Sequence, residues 1–309
     1  MRYSIRIMIG AMLLTGCSVV VMAQEIPNEG PVPTTVLINV DSKHDVPLNP
    51  ALLKLQVNRH DSPITAVTPI SPSTAQVAIL IDDGLRSSVS LQLKDLENFI
   101  NSLPAGTQVM VGYMQNGEVR SAGGFSANHE EVASQLRVVE SMPGAAASPY
   151  FSLSSFVKNW PSNQPGARMV LMITNGIDPY NGRPSMMNQN SPYVETAQDD
   201  AQRAGVAVYS IYYADSGMRG GSFSGQSYLS QIAEATGGEL FNLGSIPPPS
   251  FAPYLKQFRN AIMESYSVSF MASANREKRD TLTPIKVTSS QAGVKIHAPE
   301  NVHPGVNEP

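Results

Sequence analysis

Cysteine, histidine and charge are all scarce in this chain. Of 309 residues one is cysteine, Cys17, one is tryptophan, and only 15% are charged. A lone cysteine excludes a disulfide framework and a zinc–thiolate site. The five histidines (His44, His60, His129, His297, His303) are scattered, none at metal-ligand spacing from another. Lysine and arginine number 21 against 25 aspartate and glutamate, a formal net charge of −4. No basic footprint therefore points to nucleic acid or an anionic membrane. Catalytic signatures are missing too. There is no Gly-x-Ser-x-Gly elbow, and the glycine-rich Gly217–Gly225 lacks the Lys-Ser/Thr of a phosphate loop. With no acid/base pair in view either, the expectation is a protein that is not an enzyme.

What is present is apolar: 42% of residues are hydrophobic, enough for a sizeable core. At the start, Arg2 and Arg6 precede an apolar run from Ile7, and Val21-Met22-Ala23 leads into a polar, proline-rich stretch. That order predicts a secretory signal cut after Ala23. Leu14-Thr15-Gly16-Cys17 also reads as a bacterial lipobox, which would place a lipid anchor on Cys17. Either way an exported protein is expected, in the periplasm or at the cell surface, with no membrane span in the mature chain. Cleavage after Ala23 would remove Arg2 and Arg6 and take the net charge from −4 to −6.

The rest of the chain is organised around Ala75–Ser88. Five apolar residues, Val77–Ile81, run straight into Asp82-Asp83-Gly84. A helical pattern through Leu85, Val89, Leu93, Leu96 and Ile100 follows. Such a run predicts a strand buried on both faces, hence a parallel sheet covered by helices. Carboxylates at its carboxyl end sit where open α/β sheets bind ligands. Met169–Ile173 and Val206–Ala214 repeat the unit, and Asn116-Gly117 predicts a hairpin that adds one antiparallel edge. The alternation predicts a doubly wound α/β domain over Ala75–Glu264, with a mostly parallel sheet and helices on both faces.

Before that domain, Val36–Val40, Leu52–Val57 and Ile64–Ile70 read as short strands, as do Tyr266–Met271, Ile285–Thr288 and Gly293–His297 beyond it. Neither set can bury a face alone, so the two ends are expected to pair into a small β appendage. The tail Pro299–Pro309 reads as disordered.

The segments VAILIDDG, MVLMITNG, AGVAVYSIYY and IAEATGGELF resemble the von Willebrand factor type A domain, in particular its divergent "related" form in bacterial exported proteins. The resemblance implies a protein-binding or adhesion module. It also implies a metal-ion-dependent adhesion site, in which magnesium is held by Asp-x-Ser-x-Ser, a threonine and a second aspartate. Matched residue by residue, Asp82 takes the aspartate place, while Gly84 and Arg86 fall where the two serines belong. Ser148 best matches the threonine, and Asn175 stands where the second aspartate belongs. Shifting the register to Asp83 recovers Ser87 but leaves Leu85 at the other serine place.

Three readings of this cluster stand side by side. Asp82, Ser148 and Asn175 hold magnesium; or the Arg86 guanidinium takes the metal's electrostatic part beside Asp82; or Asp82 and Asp83 merely cap the helix that follows. The expected contact surface for a partner protein is the rim formed by Asp82, Asp83, Gly84, Arg86, Ser148, Asn175 and Asp178. The alternatives are a structural part of an envelope assembly and, behind it, a hydrolase on a doubly wound fold.

Overall fold

Val77, Ile79 and Ile81 face one side of the central strand, Ala78 and Leu80 face the other, and all five are buried. That double burial is what the apolar run foretold. At about 1.5–3 kcal/mol for each large side chain removed from water, it makes this strand the main anchor of the domain. The computed structural model describes residues 30–42, 46–142, 144, 146–183, 185–214, 219–273 and 281–305. The expected signal (Met1–Ala23, with Cys17), His44, Asp215 and Gly217 lie outside the described residues.

In chain order, the first four strands are β1 (Val32–Ser42), β2 (Leu53–Val57), β3 (His60–Ser62) and β4 (Ile64–Pro69). The central strand is β5 (Gln76–Asp82), followed by a 3-10 turn at Ser87–Gln92 and α1 (Leu93–Ser102). Then come β6 (Gln108–Gln115), β7 (Glu118–Arg120), α2 (His129–Ala133) and α3 (Pro149–Lys158). After β8 (Arg168–Thr174) follow α4 (Pro192–Arg203), β9 (Val206–Tyr212), α5 (Arg219–Thr236), β10 (Leu240–Phe241) and α6 (Ala252–Met263). The chain closes with β11 (Ser265–Ala272), β12 (Thr283–Ser289), β13 (Val294–His297) and β14 (Asn301–Val302).

The fold is α/β. Its six-stranded sheet runs β10-β9-β8-β5-β6-β7, and every pair is parallel except β6–β7. Asn116 and Gly117 turn that hairpin with φ of 55° and 77°, the left-handed pair such a turn requires. One face packs α1 and α6 through Phe99, Ile100, Leu255 and Phe258, and the other packs α3, α4 and α5 through Leu153, Val194 and Leu229.

Strands from both ends of the chain form two further four-stranded sheets, β13-β1-β11-β4 and β14-β12-β2-β3. They enclose a third core that includes Ile38, Leu55, Phe270 and Val287. The first of these sheets joins residues more than 200 apart, Val36 opposite Val268 among them.

Two expectations need correction. Residues Pro299–Gly305 are ordered: β14 pairs with β12, and the Glu300 N–H donates to the Ala235 carbonyl at 3.0 Å. And α5 begins at Arg219, inside the stretch whose glycines suggested a loop. Packing overrides propensity there, because a Cβ at Gly225 would overlap the Asn175 carbonyl oxygen.

Candidate functional site

The carboxyl ends of β5, β6, β8 and β9 open onto one rim. Asp82 closes β5 with both carboxylate oxygens engaged. Oδ1 accepts the Gly84 N–H at 2.9 Å, and Oδ2 accepts the Thr174 hydroxyl at 2.6 Å. Thr174 ends β8, is fully buried, and receives the Gly176 N–H on the same hydroxyl at 3.1 Å. The bond between Thr174 and Asp82 thus ties the two central strands together at the rim. Thr174 was missed in the sequence, where it reads only as the first polar residue of a turn.

Asp83 does not belong to the contact surface. It is fully buried, and Arg137 grips it with two parallel bonds, Nη1–Oδ1 at 3.0 Å and Nη2–Oδ2 at 2.9 Å. The Glu140 N–H adds a third bond to the carboxylate at 2.8 Å. The guanidinium also lies over the Tyr113 ring, 3.8 Å from its centroid. The Arg137 N–H donates to the Tyr113 oxygen, which donates to the Arg137 carbonyl at 2.9 Å. The hydrogen bond to Asp83 pushes the Arg137 pKa up, and burial pushes the Tyr113 phenol up. This arrangement explains why α2 stops at Ala133 although an apolar face continues to Leu136 and Val139. The chain must turn there to bring Arg137 back to Asp83.

Asp178 is likewise withdrawn. It is buried, takes the Ser191 hydroxyl at 2.8 Å and caps its own turn through the Tyr180 N–H at 3.1 Å. Asn175 turns its side-chain oxygen onto the Ile177 N–H at 3.0 Å instead of toward Asp82. Nor do Asp82 and Asp83 cap the following helix. The 3-10 turn starts from Arg86, without a side-chain cap. Arg86 is exposed at the rim, next to the half-buried Gly84.

Ser148 sits where it was expected, at the start of α3, because the β6–β7 turn holds the preceding loop. Asn116 accepts the Ala146 N–H at 3.0 Å, and the Ser148 N–H then donates to the Ala146 carbonyl at 2.9 Å. Ser148 lines a shallow depression with Asp82, Asn116 and Ser152. Its hydroxyl is buried and has no hydrogen-bond partner. Beneath it, the buried Tyr150 hydroxyl donates to the Gly176 carbonyl at 2.7 Å and fixes α3 to the β8 loop. Burial pushes the Tyr150 phenol well up, with the Asp178 charge adding to the shift.

A hard cation such as magnesium wants several oxygen ligands in near-octahedral array. Here Asp82 is already occupied, Asn175 points away, and Asp83 and Asp178 are committed elsewhere. Among the described residues no cluster of three histidine, cysteine, aspartate or glutamate side chains could hold a metal. The donor set does not fit the ion. Ser148 offers a direct check, since a buried hydroxyl with no partner costs stability. Ser148→Ala should leave the denaturation midpoint unchanged or raise stability by up to about 1 kcal/mol. A loss of that size would mean that something bound at this hydroxyl contributes to the fold.

The protein is an α/β domain with a six-stranded, mostly parallel sheet, and Asp82 stands at the carboxyl end of its central strand. Three solved structures to which the chain is similar are the following. BatB from Bacteroides thetaiotaomicron is 12% identical at a TM-score of 0.42, over 61% of this chain and 97% of that one. A von Willebrand factor type A protein from Catenulispora acidiphila is 11% identical at 0.41, over 89% and 74%. VWA2, an ArnB paralog from Sulfolobus acidocaldarius, is 9% identical at 0.38, over 86% and 76%. No protein-family model and no curated protein matches the chain. Among the described residues, no helix is long and apolar enough to cross a membrane.

Proposed function

We propose that this chain is an extracytoplasmic protein-binding module whose contact surface is the rim at the carboxyl end of the sheet, working without a bound metal. In this reading the α/β domain is a doubly wound, von Willebrand type A-like head, and the β strands from both chain ends form its base. The signal expected at Met1–Ala23 supports a place outside the cytoplasm. Its role is recognition and not catalysis.

One observation carries the reading. Among the described residues fourteen large hydrophobic side chains are exposed; eight of them lie in the loops or opening helical turns that follow the carboxyl ends of the parallel strands, and Val138 and Met142 lie in the loop before α3, where the Ser141 hydroxyl donates to the Leu85 carbonyl. Leu91 follows β5, Tyr180 and Met187 follow β8, and Leu243 and Ile246 follow β10. Exposed apolar side chains gathered on one face mark an interaction surface, whereas scattered ones need no explanation. Phe151, Tyr180 and Tyr193 add a surface aromatic cluster, with ring centroids 5.0–6.3 Å apart. Arg86 brings a positive charge to the same rim, and we assign it the electrostatic part that a cation has in a complete adhesion site.

The test is capture of a partner from envelope extract of the producing organism by the tagged mature chain. Leu91→Asp with Met187→Asp, at positions 80% and 94% exposed, should reduce capture at least tenfold with little loss of stability. Met263→Asp on α6, away from the rim, should not. Capture should be equal in magnesium and in EDTA. Capture that survives the double substitution would move the contact surface to the base.

A further inference from the structure

Met186 and Met187 form the tip of the loop between β8 and α4, with side chains 60% and 94% exposed. Met187 is the most exposed methionine among the described residues, whereas Met110, Met114, Met169 and Met172 are buried. The tip is braced from both sides. Before it, the Ser185 N–H donates to the Ser224 hydroxyl oxygen at 2.9 Å, and that hydroxyl donates to the Ser185 carbonyl at 2.8 Å. After it, the Tyr228 hydroxyl donates to the Asn188 carbonyl at 2.9 Å and the Gln231 amide to the Gln189 carbonyl at 2.8 Å. The Asn181 amide closes the loop on the Asn190 carbonyl at 2.6 Å, and the Gln189 amide holds the Met186 carbonyl at 2.8 Å. Bonds to α5 thus fix the backbone, while two thioethers stand in water.

A methionine usually fills an irregular gap in a core. These two fill none, since neither belongs to any of the three hydrophobic clusters. What their position does favour is oxidation, because the susceptibility of a thioether follows its exposure. No thiol competes for the oxidant. Cys17 is the only cysteine, and either form of the expected export signal takes its thiol away.

We propose that Met186 and Met187 are a peroxide-sensitive modification site, and that their conversion to sulfoxide switches off the rim, given that the rim is the contact surface proposed above. The thioether sulfur donates an electron pair to one peroxide oxygen, the O–O bond breaks, an S–O bond forms and water leaves. The sulfide is oxidised, the peroxide is reduced, and no further reactant is needed. The product is polar where the contact surface is apolar. The fold is untouched, because the braced backbone does not depend on either side chain. Methionine sulfoxide reductases reverse the step with electrons from thiols.

The purified mature chain is dosed with hydrogen peroxide, quenched with catalase and mapped by peptide mass spectrometry. Met186 and Met187 should gain oxygen about tenfold faster, or more, than the four buried methionines, with the thermal midpoint unchanged. Capture from envelope extract is then measured with the treated chain, before and after repair by reductases for both sulfoxide epimers. It should fall in proportion to oxidation of the pair, by about tenfold at full conversion, and return on repair. Whatever capture Met186→Leu with Met187→Leu retains should be indifferent to peroxide. Met142→Leu and Met263→Leu should lose capture on oxidation as the wild type does. Capture that survives full oxidation of the pair, or that is lost equally in the double leucine variant, would overturn the switch and leave the rim reading standing. Oxidation of the pair no faster than that of the buried methionines would overturn the switch as well. No capture by the untreated chain would overturn both.

Discussion

Arg137→Ala should destabilise the fold by about 3 kcal/mol, the low end of the cost of breaking a buried ion pair, because Arg137 itself is 38% exposed. The loss is large because the surviving partner has nowhere to go. Asp83 is fully buried, and without the guanidinium its carboxylate keeps only the Glu140 N–H. The ring of Tyr113 loses its covering cation as well. Arg137→Lys keeps the charge but not the two-pronged geometry, and should fall between wild type and Arg137→Ala. Removing both charges with Asp83→Asn and Arg137→Met should cost less than removing the arginine alone, since no charge is then stranded. Urea midpoints for the four proteins decide the order. An Arg137→Ala variant within 0.5 kcal/mol of wild type would show that the pair does not hold the rim.

The second large effect is expected at Gly225. Gly225 of α5 and Gly176 of the β8 loop meet backbone to backbone. A Cβ on Gly225 would overlap the Asn175 carbonyl, and one on Gly176 would stand 2.5 Å from the Gly225 carbonyl. Gly176 also has a φ of 67°, which side chains disfavour. Gly225→Ala should therefore cost about 3 kcal/mol, at the upper end for overpacking, although alanine is the better helix former. It should also shift the Asn175–Asp178 turn and reduce partner capture beyond what the stability loss accounts for. Ser227→Ala, two residues on in the same helix, serves as the comparison. A Gly225→Ala protein as stable as wild type would mean that α5 can step back from the loop freely.

These two positions also show where the sequence was legible and where it was not. The buried strands announced themselves because β5, β8 and β9 carry apolar residues on both faces, a pattern that needs no partner to be recognised. The hairpin at Asn116-Gly117 was equally plain, since few residue pairs accept two left-handed conformations. The start of α5 was not, because Gly225, which reads as a loop residue, serves a contact with a loop some 50 residues earlier in the chain. The site divided in the same way. Adjacent aspartates at a strand end point to opposite sides, yet which one is buried depends on Arg137, 54 residues away and in no pattern. Asn175 looked like a metal ligand and Asp178 like part of the contact rim, and their bonds to neighbouring backbone and to Ser191 were visible only in three dimensions. The ordered segment at Pro299–Gly305 was hidden for a similar reason. Its residues are polar and proline-rich, and a strand partner in β12 gives them structure.

The central claim is that this rim works without a cation, and calorimetric titration of the mature protein with magnesium and manganese tests it most directly. Asp82 is already satisfied by Thr174 and Gly84, and the neighbouring Arg86 adds positive charge. The account therefore predicts no binding tighter than the millimolar range, with partner capture unchanged by EDTA. A micromolar dissociation constant for either ion would contradict it and restore a working metal-dependent adhesion site.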